Sequence, residues 1–155
     1  MKKFINIVVC FVLIIFLVGC ESKEKIVKAK LNKEGNIVIE KKDIKEKATF
    51  ISYEVDGVTI GFIVERGTDG KVRVAFNTCQ SCSPSPNAYF LQEGEYFQCQ
   101  NCGNKFHVDE IGVSKGGCNP APVEEMTEDD DTIIISSEYA KTYKEKFENW
   151  NGPKA

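Results

Sequence analysis

From Asn36 onward, apolar and polar residues follow one another with a period close to two. Asn36–Glu40 is a short run of Ile and Val, and Ala48–Val55 distributes Phe, Ile, Tyr and Val with the same rhythm. That period belongs to a strand with one face turned to a core. Asp56-Gly57 separates the second run from Val58–Val64, and two β-prone runs flanking Asp-Gly predict a tight hairpin. Gly67–Gly70 marks another turn, after which Lys71–Phe76 alternates cleanly. Ser83-Pro84-Ser85-Pro86-Asn87 is loop chemistry, while Ala88–Leu91 and Glu95–Cys99 enclose a turn at Glu93-Gly94 and read as a further hairpin. Gly116–Pro120 is a turn, acidic Glu124–Asp131 is a solvated loop, and Thr132–Ile135 is a last strand. Ser136 offers an N-cap, and Tyr139, Tyr143, Phe147 and Trp150 then fall on one face at helical spacing, an aromatic stripe suited to core packing. The expectation is an all-β or β-rich small domain, an antiparallel sheet or sandwich with one C-terminal helix.

The first residues follow a different pattern. Lys2 and Lys3 precede an uninterrupted apolar run, Ile7–Val18. A membrane-spanning helix needs roughly 20 apolar residues, so a run of this length reads as the core of a signal peptide. It ends in Leu17-Val18-Gly19-Cys20, which resembles the lipobox of bacterial lipoproteins. The Cys20 thiol supplies the chemistry that modification requires, a thioether to diacylglycerol. The expected organisation is a signal peptide over 1–19, a lysine-rich tether over 20–34 and a domain over 35–150. Cys10 would leave with the signal peptide, and the domain would sit at the extracytoplasmic face of the cell membrane, held by its lipid anchor.

Composition narrows the function. A net charge of −3, with mixed Lys and Asp/Glu and no basic stripe, argues against nucleic acid as a partner. Seven cysteines are the chain's most unusual feature, and five remain in the expected domain. Cys79-Gln80-Ser81-Cys82 and Cys99-Gln100-Asn101-Cys102 form two C-x-x-C pairs with sixteen residues (83–98) between them. Two such loops, each at the end of a strand, can turn four thiolates onto one centre. Paired disulfides are the alternative that an oxidising exterior permits. The odd number of cysteines, and the strain of a bond within C-x-x-C, weigh against them. Cys118 is left with three roles open: a fifth sulfur near the centre, a disulfide partner, or a buried small residue. His107, the one histidine, reads as a packing or surface residue. No nucleophile–base pair and no phosphate loop stand out, so the expectation is a redox or metal carrier rather than an enzyme. A structural zinc module and a thiol–disulfide redox protein are the other readings. No thioredoxin-like βαβ pattern surrounds either pair to support the latter.

The stretch Phe97–Phe106, C-x-x-C-G followed by Phe106, is similar to the second cluster-binding box of Rieske proteins, with Cys102 where that family has histidine. Val74–Cys79 and the Gly and Pro residues from Gly112 to Val123 are similar to neighbouring Rieske segments. Over about Gly35–Trp150 the chain resembles more closely the FtrD-like membrane iron–sulfur family of bacteria. That resemblance rests on Ala75–Cys82, the Cys99–Phe106 box and Gly116-Gly117-Cys118-Asn119-Pro120. It implies a Rieske-like antiparallel sheet or sandwich with two metal-binding knuckle loops. It also implies an iron–sulfur centre on Cys79, Cys82, Cys99 and Cys102, and a membrane redox or iron-transport partner. A 2Fe–2S cluster is the favoured centre, with a single iron or zinc ion compatible with the same thiolates. An all-cysteine cluster of this kind has a potential near roughly −400 mV, well below the Rieske range.

Overall fold

A computed structural model describes residues 24–155. The expected signal peptide, Cys10 and the lipidation site Cys20 lie outside the described residues. The strands are β1 (Lys25–Lys28), β2 (Lys30–Leu31), β3 (Ile37–Glu40), β4 (Thr49–Val55), β5 (Val58–Arg66), β6 (Val72–Cys79), β7 (Phe90–Glu93), β8 (Tyr96–Cys99), β9 (Lys105–His107), β10 (Pro120–Pro122), β11 (Met126–Glu128) and β12 (Thr132–Ile135). One α-helix, α1 (Ser137–Lys141), follows them.

The strands form three sheets: β1-β4-β5-β6-β10, β11-β12-β3-β2 and β7-β8-β9. The five-stranded sheet is the middle layer. Its one face buries Ile60, Phe62, Val64, Val74 and Phe76 against Ile37, Ile39, Ile133 and Ile135 of the four-stranded sheet and against the C-terminal aromatics. Its other face buries Phe50, Ile63, Ala75 and Cys79 against Phe90, Phe97 and Cys99 of the three-stranded sheet, with Val108 and Ile111. Burial on both faces explains why Gly61–Val64 is continuously buried and breaks the alternation seen elsewhere.

The β4–β5 hairpin closes through Asp56 (φ 49°) and Gly57 (φ 78°), with Val55 opposite Val58. Two successive residues with positive φ make the turn whose twist matches the strands it joins, as Asp-Gly predicts. Other expectations change. Residues 25–31, expected within the tether, form β1 and β2, and β1 pairs parallel with β4, the exception among otherwise antiparallel pairings of the described strands. The acidic segment expected as a loop is largely the hairpin β11–β12. Its turn is made by Asp129, which accepts from the backbone N–H groups of Asp131 and Thr132 at 2.9 and 2.6 Å.

The C-terminal helix begins where its cap predicts, with Ser136 Oγ accepting from Tyr139 N at 3.4 Å. It is shorter than the aromatic spacing suggests, because α1 stops at Lys141 and a 3-10 turn spans Lys144–Phe147. Thr142 Oγ1 donates to the Tyr139 carbonyl at 2.7 Å, and Tyr143 takes φ −90°, ψ 0°, a turn conformation. This break lets Tyr143 stack on Phe76 with ring centroids 3.9 Å apart. Trp150 packs where Gly61 and Gly152 leave room, since a Cβ on either would lie 2.4 and 2.1 Å from its ring. Its indole N–H donates to the Asn77 carbonyl at 2.7 Å.

Among the described residues two buried side chains depart from the general pattern of satisfied interiors, Thr78 with its hydroxyl and Glu65 with its carboxylate. Glu65 is fully buried and neither carboxylate oxygen has a hydrogen-bond partner. Its cross-strand neighbour Arg73 is committed elsewhere, donating to both Asp69 oxygens at 2.8 and 2.9 Å and to the Asp109 carbonyl at 3.0 Å. Burial pushes the Glu65 carboxyl up to about 8, and Asp109 and Asp69 add to the rise while Arg73 opposes it. The folded chain therefore holds a proton that the unfolded chain gives up near the ordinary glutamate value. Stability that is complete below that value declines as pH rises through about 8. Glu65→Gln should remove this slope. Urea unfolding at stepped pH should find the two chains similar near pH 4 and the wild type weaker by about 3 kcal/mol at pH 7. Parallel pH profiles would refute a neutral Glu65. Gly61→Ala should cost about 1–3 kcal/mol by displacing the Trp150 ring, with a red shift of tryptophan emission as the check.

Candidate metal centre

Strands β6 and β8 both end on a cysteine. Cys79 closes β6 and Cys99 closes β8, each buried, and each is followed by a tight turn carrying the second cysteine of its pair. The two turns share one design. The Cys79 sulfur accepts backbone N–H groups from Ser81 and Cys82, and the Cys99 sulfur accepts them from Asn101 and Cys102. The Ser83 N–H returns to the Cys79 carbonyl at 3.1 Å, and the Gly103 N–H to the Cys99 carbonyl at 2.8 Å. Gly103 closes the second turn at φ 77°, a conformation that costs glycine nothing. The first turn continues instead through a cis Ser83–Pro84 peptide. Backbone N–H groups aimed at sulfur stabilise thiolate, the form that binds metal.

A third segment arrives from β10. This strand pairs antiparallel with β6, and its register places Pro120 opposite Cys79, so Cys118 lies beside the first knuckle. The two residues inside the first C-x-x-C fasten it. Gln80 donates from its backbone N–H to the Asn119 carbonyl at 3.2 Å and accepts from the Gly116 N–H on Oε1 at 3.2 Å. Its amide Nε2 donates to the Asn119 and Pro120 carbonyls at 3.3 and 3.4 Å. Ser81 Oγ donates to the Gly117 carbonyl at 2.6 Å. The second knuckle is tied to the loop after the first, since Ser85 Oγ donates to Asn101 Oδ1 at 2.6 Å and the Gln100 N–H to the Tyr89 carbonyl at 2.8 Å.

The result is a convergence of five thiols. The sulfurs of Cys79, Cys82, Cys102 and Cys118 all lie within 4.8 Å of one another. Cys99, the remaining member of the two pairs, has its sulfur 4.0 Å from that of Cys82. All five are free cysteines, graded from buried Cys79 and Cys99 through half-buried Cys82 and Cys118 to exposed Cys102. Burial pushes the Cys99 thiol up to about 11 and raises the Cys79 thiol further, so a metal must displace protons from them on binding. Metal–sulfur bonds of ~2.3 Å in a tetrahedron put neighbouring sulfurs ~3.8 Å apart, a separation compatible with four sulfurs that all lie within 4.8 Å of one another. As they stand, the sulfurs fit one thiolate-bound ion. A two-iron cluster would interpose two metals and two sulfides and set the cysteine pairs farther apart.

His107 lies outside this group. Its Nδ1 accepts from the Asp109 N–H at 3.2 Å and caps a 3-10 turn, and its ring meets Tyr96 edge-on. Several residues that position the thiols were not singled out by motif reading. Gln80 and Ser81 occupy the variable places of C-x-x-C, and only the folded third segment reveals what they hold. Asn77, buried two residues before Cys79, accepts from the Phe90 N–H at 2.7 Å and donates to the Phe90 carbonyl at 3.3 Å, joining β6 to β7. The available signal was the polar pair Asn77-Thr78 directly after the apolar Val74-Ala75-Phe76.

Among the described residues, no helix is long and apolar enough to cross a membrane. No curated protein and no solved structure matches the chain. The sequence profile of the membrane iron–sulfur containing protein FtrD-like family matches residues 44–147, about two thirds of the chain and all five of these cysteines. The chain belongs to the FtrD-like family of membrane iron–sulfur containing proteins.

Proposed function

We propose that this protein is an extracytoplasmic lipoprotein, anchored through diacylglycerol on Cys20, that binds iron through its clustered thiols and carries iron or electrons for a membrane partner. The observation that carries the reading is the approach of four cysteine sulfurs to within 4.8 Å of one another in a family described as membrane iron–sulfur containing. The anchor follows from Leu17-Val18-Gly19-Cys20 and the short apolar run before it. The exposed side of the centre, at Cys102, is where a partner would approach. This is the chemistry of a carrier, with binding and release or one-electron exchange in place of bond-making on a substrate. Zinc is the second reading, favoured by the compact single-ion spacing of the thiols. Zinc would serve the same sulfurs without redox activity and would stabilise three loops that have little core of their own.

Anaerobic purification of the full chain from membranes, followed by iron, sulfide and zinc analysis and redox titration, tests the proposal. Iron with a reversible redox wave supports it, and stoichiometric zinc after expression with iron supplied replaces it by the structural reading. Cys79→Ser, Cys82→Ser and Cys102→Ser should each lose most of the metal, because a hard, usually protonated hydroxyl replaces a soft thiolate. His107→Ala should keep it. Mass spectrometry of the membrane-extracted protein should show a diacylglyceryl-cysteine N-terminus at Cys20, and an intact Met1 start would remove the anchor from the proposal.

A further inference from the structure

Four sulfurs complete a tetrahedral site, yet five converge here, and they are not held alike. Cys99 is buried at the end of a strand, and backbone N–H groups of Asn101 and Cys102 point at its sulfur. Cys118 is half-buried on a turn made by Gly116 (φ 83°) and Gly117 (φ 60°), where a Cβ on either glycine would meet nothing within 4 Å. Side-chain bonds from Gln80 and Ser81 fasten that turn. Such bonds can open singly without disturbing a sheet. Cys79, Cys82 and Cys102 lie with Cys118 within 4.8 Å of one another, and Cys99, with its sulfur 4.0 Å from that of Cys82, stands beside this set as the fifth.

We propose that the five thiols form a transfer site for a single thiophilic metal ion, in which Cys118 is the ligand that exchanges and Gln80 is the residue that positions it. The inference rests on the metal-binding reading above and deepens it by naming the cargo as an ion rather than a resident cluster. In the exchange one metal–sulfur bond forms as another breaks. The incoming thiol gives up its proton, the departing thiolate takes one, and no electron changes hands. A spare sulfur keeps the ion four-coordinate throughout, so it need not pass through a bare, three-sulfur state. Exposed Cys102 and half-buried Cys118 share the accessible side of the centre, which suits an acceptor presenting soft thiolate ligands of its own.

The test uses the full reduced chain in detergent without oxygen, loaded with Co²⁺, whose visible bands report tetrahedral thiolate coordination, and challenged with a dithiol chelator. Wild type and Cys118→Ser should each bind one Co²⁺ per chain, with release from the variant slower by about tenfold; Gln80→Ala, which unties the Cys118 turn, should keep the stoichiometry and also slow release by about tenfold. Cys99→Ser should bind more weakly and release faster. Equal release from wild type and Cys118→Ser, or loss of Co²⁺ binding in Cys118→Ser with the fold intact by urea unfolding, would overturn the proposal. Native protein carrying two irons with inorganic sulfide would also overturn it, while leaving the iron-binding reading in place. No native metal and no Co²⁺ uptake by the wild type would sink both.

Discussion

Strand β6 is the member that the rest of the molecule is built around. It has neighbours on both edges and cores on both faces, so its position is set from four directions at once. Phe76 faces the aromatic C-terminus, and Ala75 and Cys79 face the small sheet. Asn77 joins it to β7, and its partner β10 brings the third cysteine segment. A strand so constrained cannot slip by one residue without turning its apolar side chains out of both cores. Cys79 is consequently the fixed point from which the other four thiols are placed, and the rigid scaffold ends where the polar, loop-borne chemistry begins.

Beyond that end, the structure changes character. The knuckle turns and the Gly116–Gly117 turn are held largely by hydrogen bonds between backbone and short polar side chains, with Cys82 and Cys118 only partly packed on the core beneath. Apolar burial contributes little there, so an ion bound to several loops would act as a cross-link, and part of its binding free energy would become folding free energy. The same logic explains why polar residues cluster inside the C-x-x-C motifs. Their side chains substitute for a core that loops of this size cannot build.

How much of this was legible beforehand depended on whether the controlling interaction was local. The Asp56-Gly57 turn, the Ser136 cap and the two cysteine pairs each declare themselves within a few residues, and each occurs where the pattern puts it. The proximity of Cys118 could not be read the same way. It depends on the pairing of β10 with β6, separated by some forty residues, at a register with a bulge between Pro120 and Ala121. The short α1 was hidden for a similar reason, because stacking of Tyr143 on Phe76 overrides a helical spacing that the aromatic residues also satisfy. β1, Lys-Ile-Val-Lys, is too short to declare a strand among its lysine-rich surroundings and is ordered by the edge of β4.

The wedge that Trp150 drives between Gly61 and Gly152 makes the molecule self-reporting. It is the only tryptophan in the chain, and its indole is hydrogen-bonded to the carbonyl of Asn77, two extended residues, about 7 Å of strand, from Cys79. A coloured centre on the thiols would therefore lie well within energy-transfer range of the one strong intrinsic fluorophore. Filling and emptying of the site could be followed as a change of brightness in unlabelled protein, while the emission wavelength reported separately whether the aromatic C-terminus was still in place.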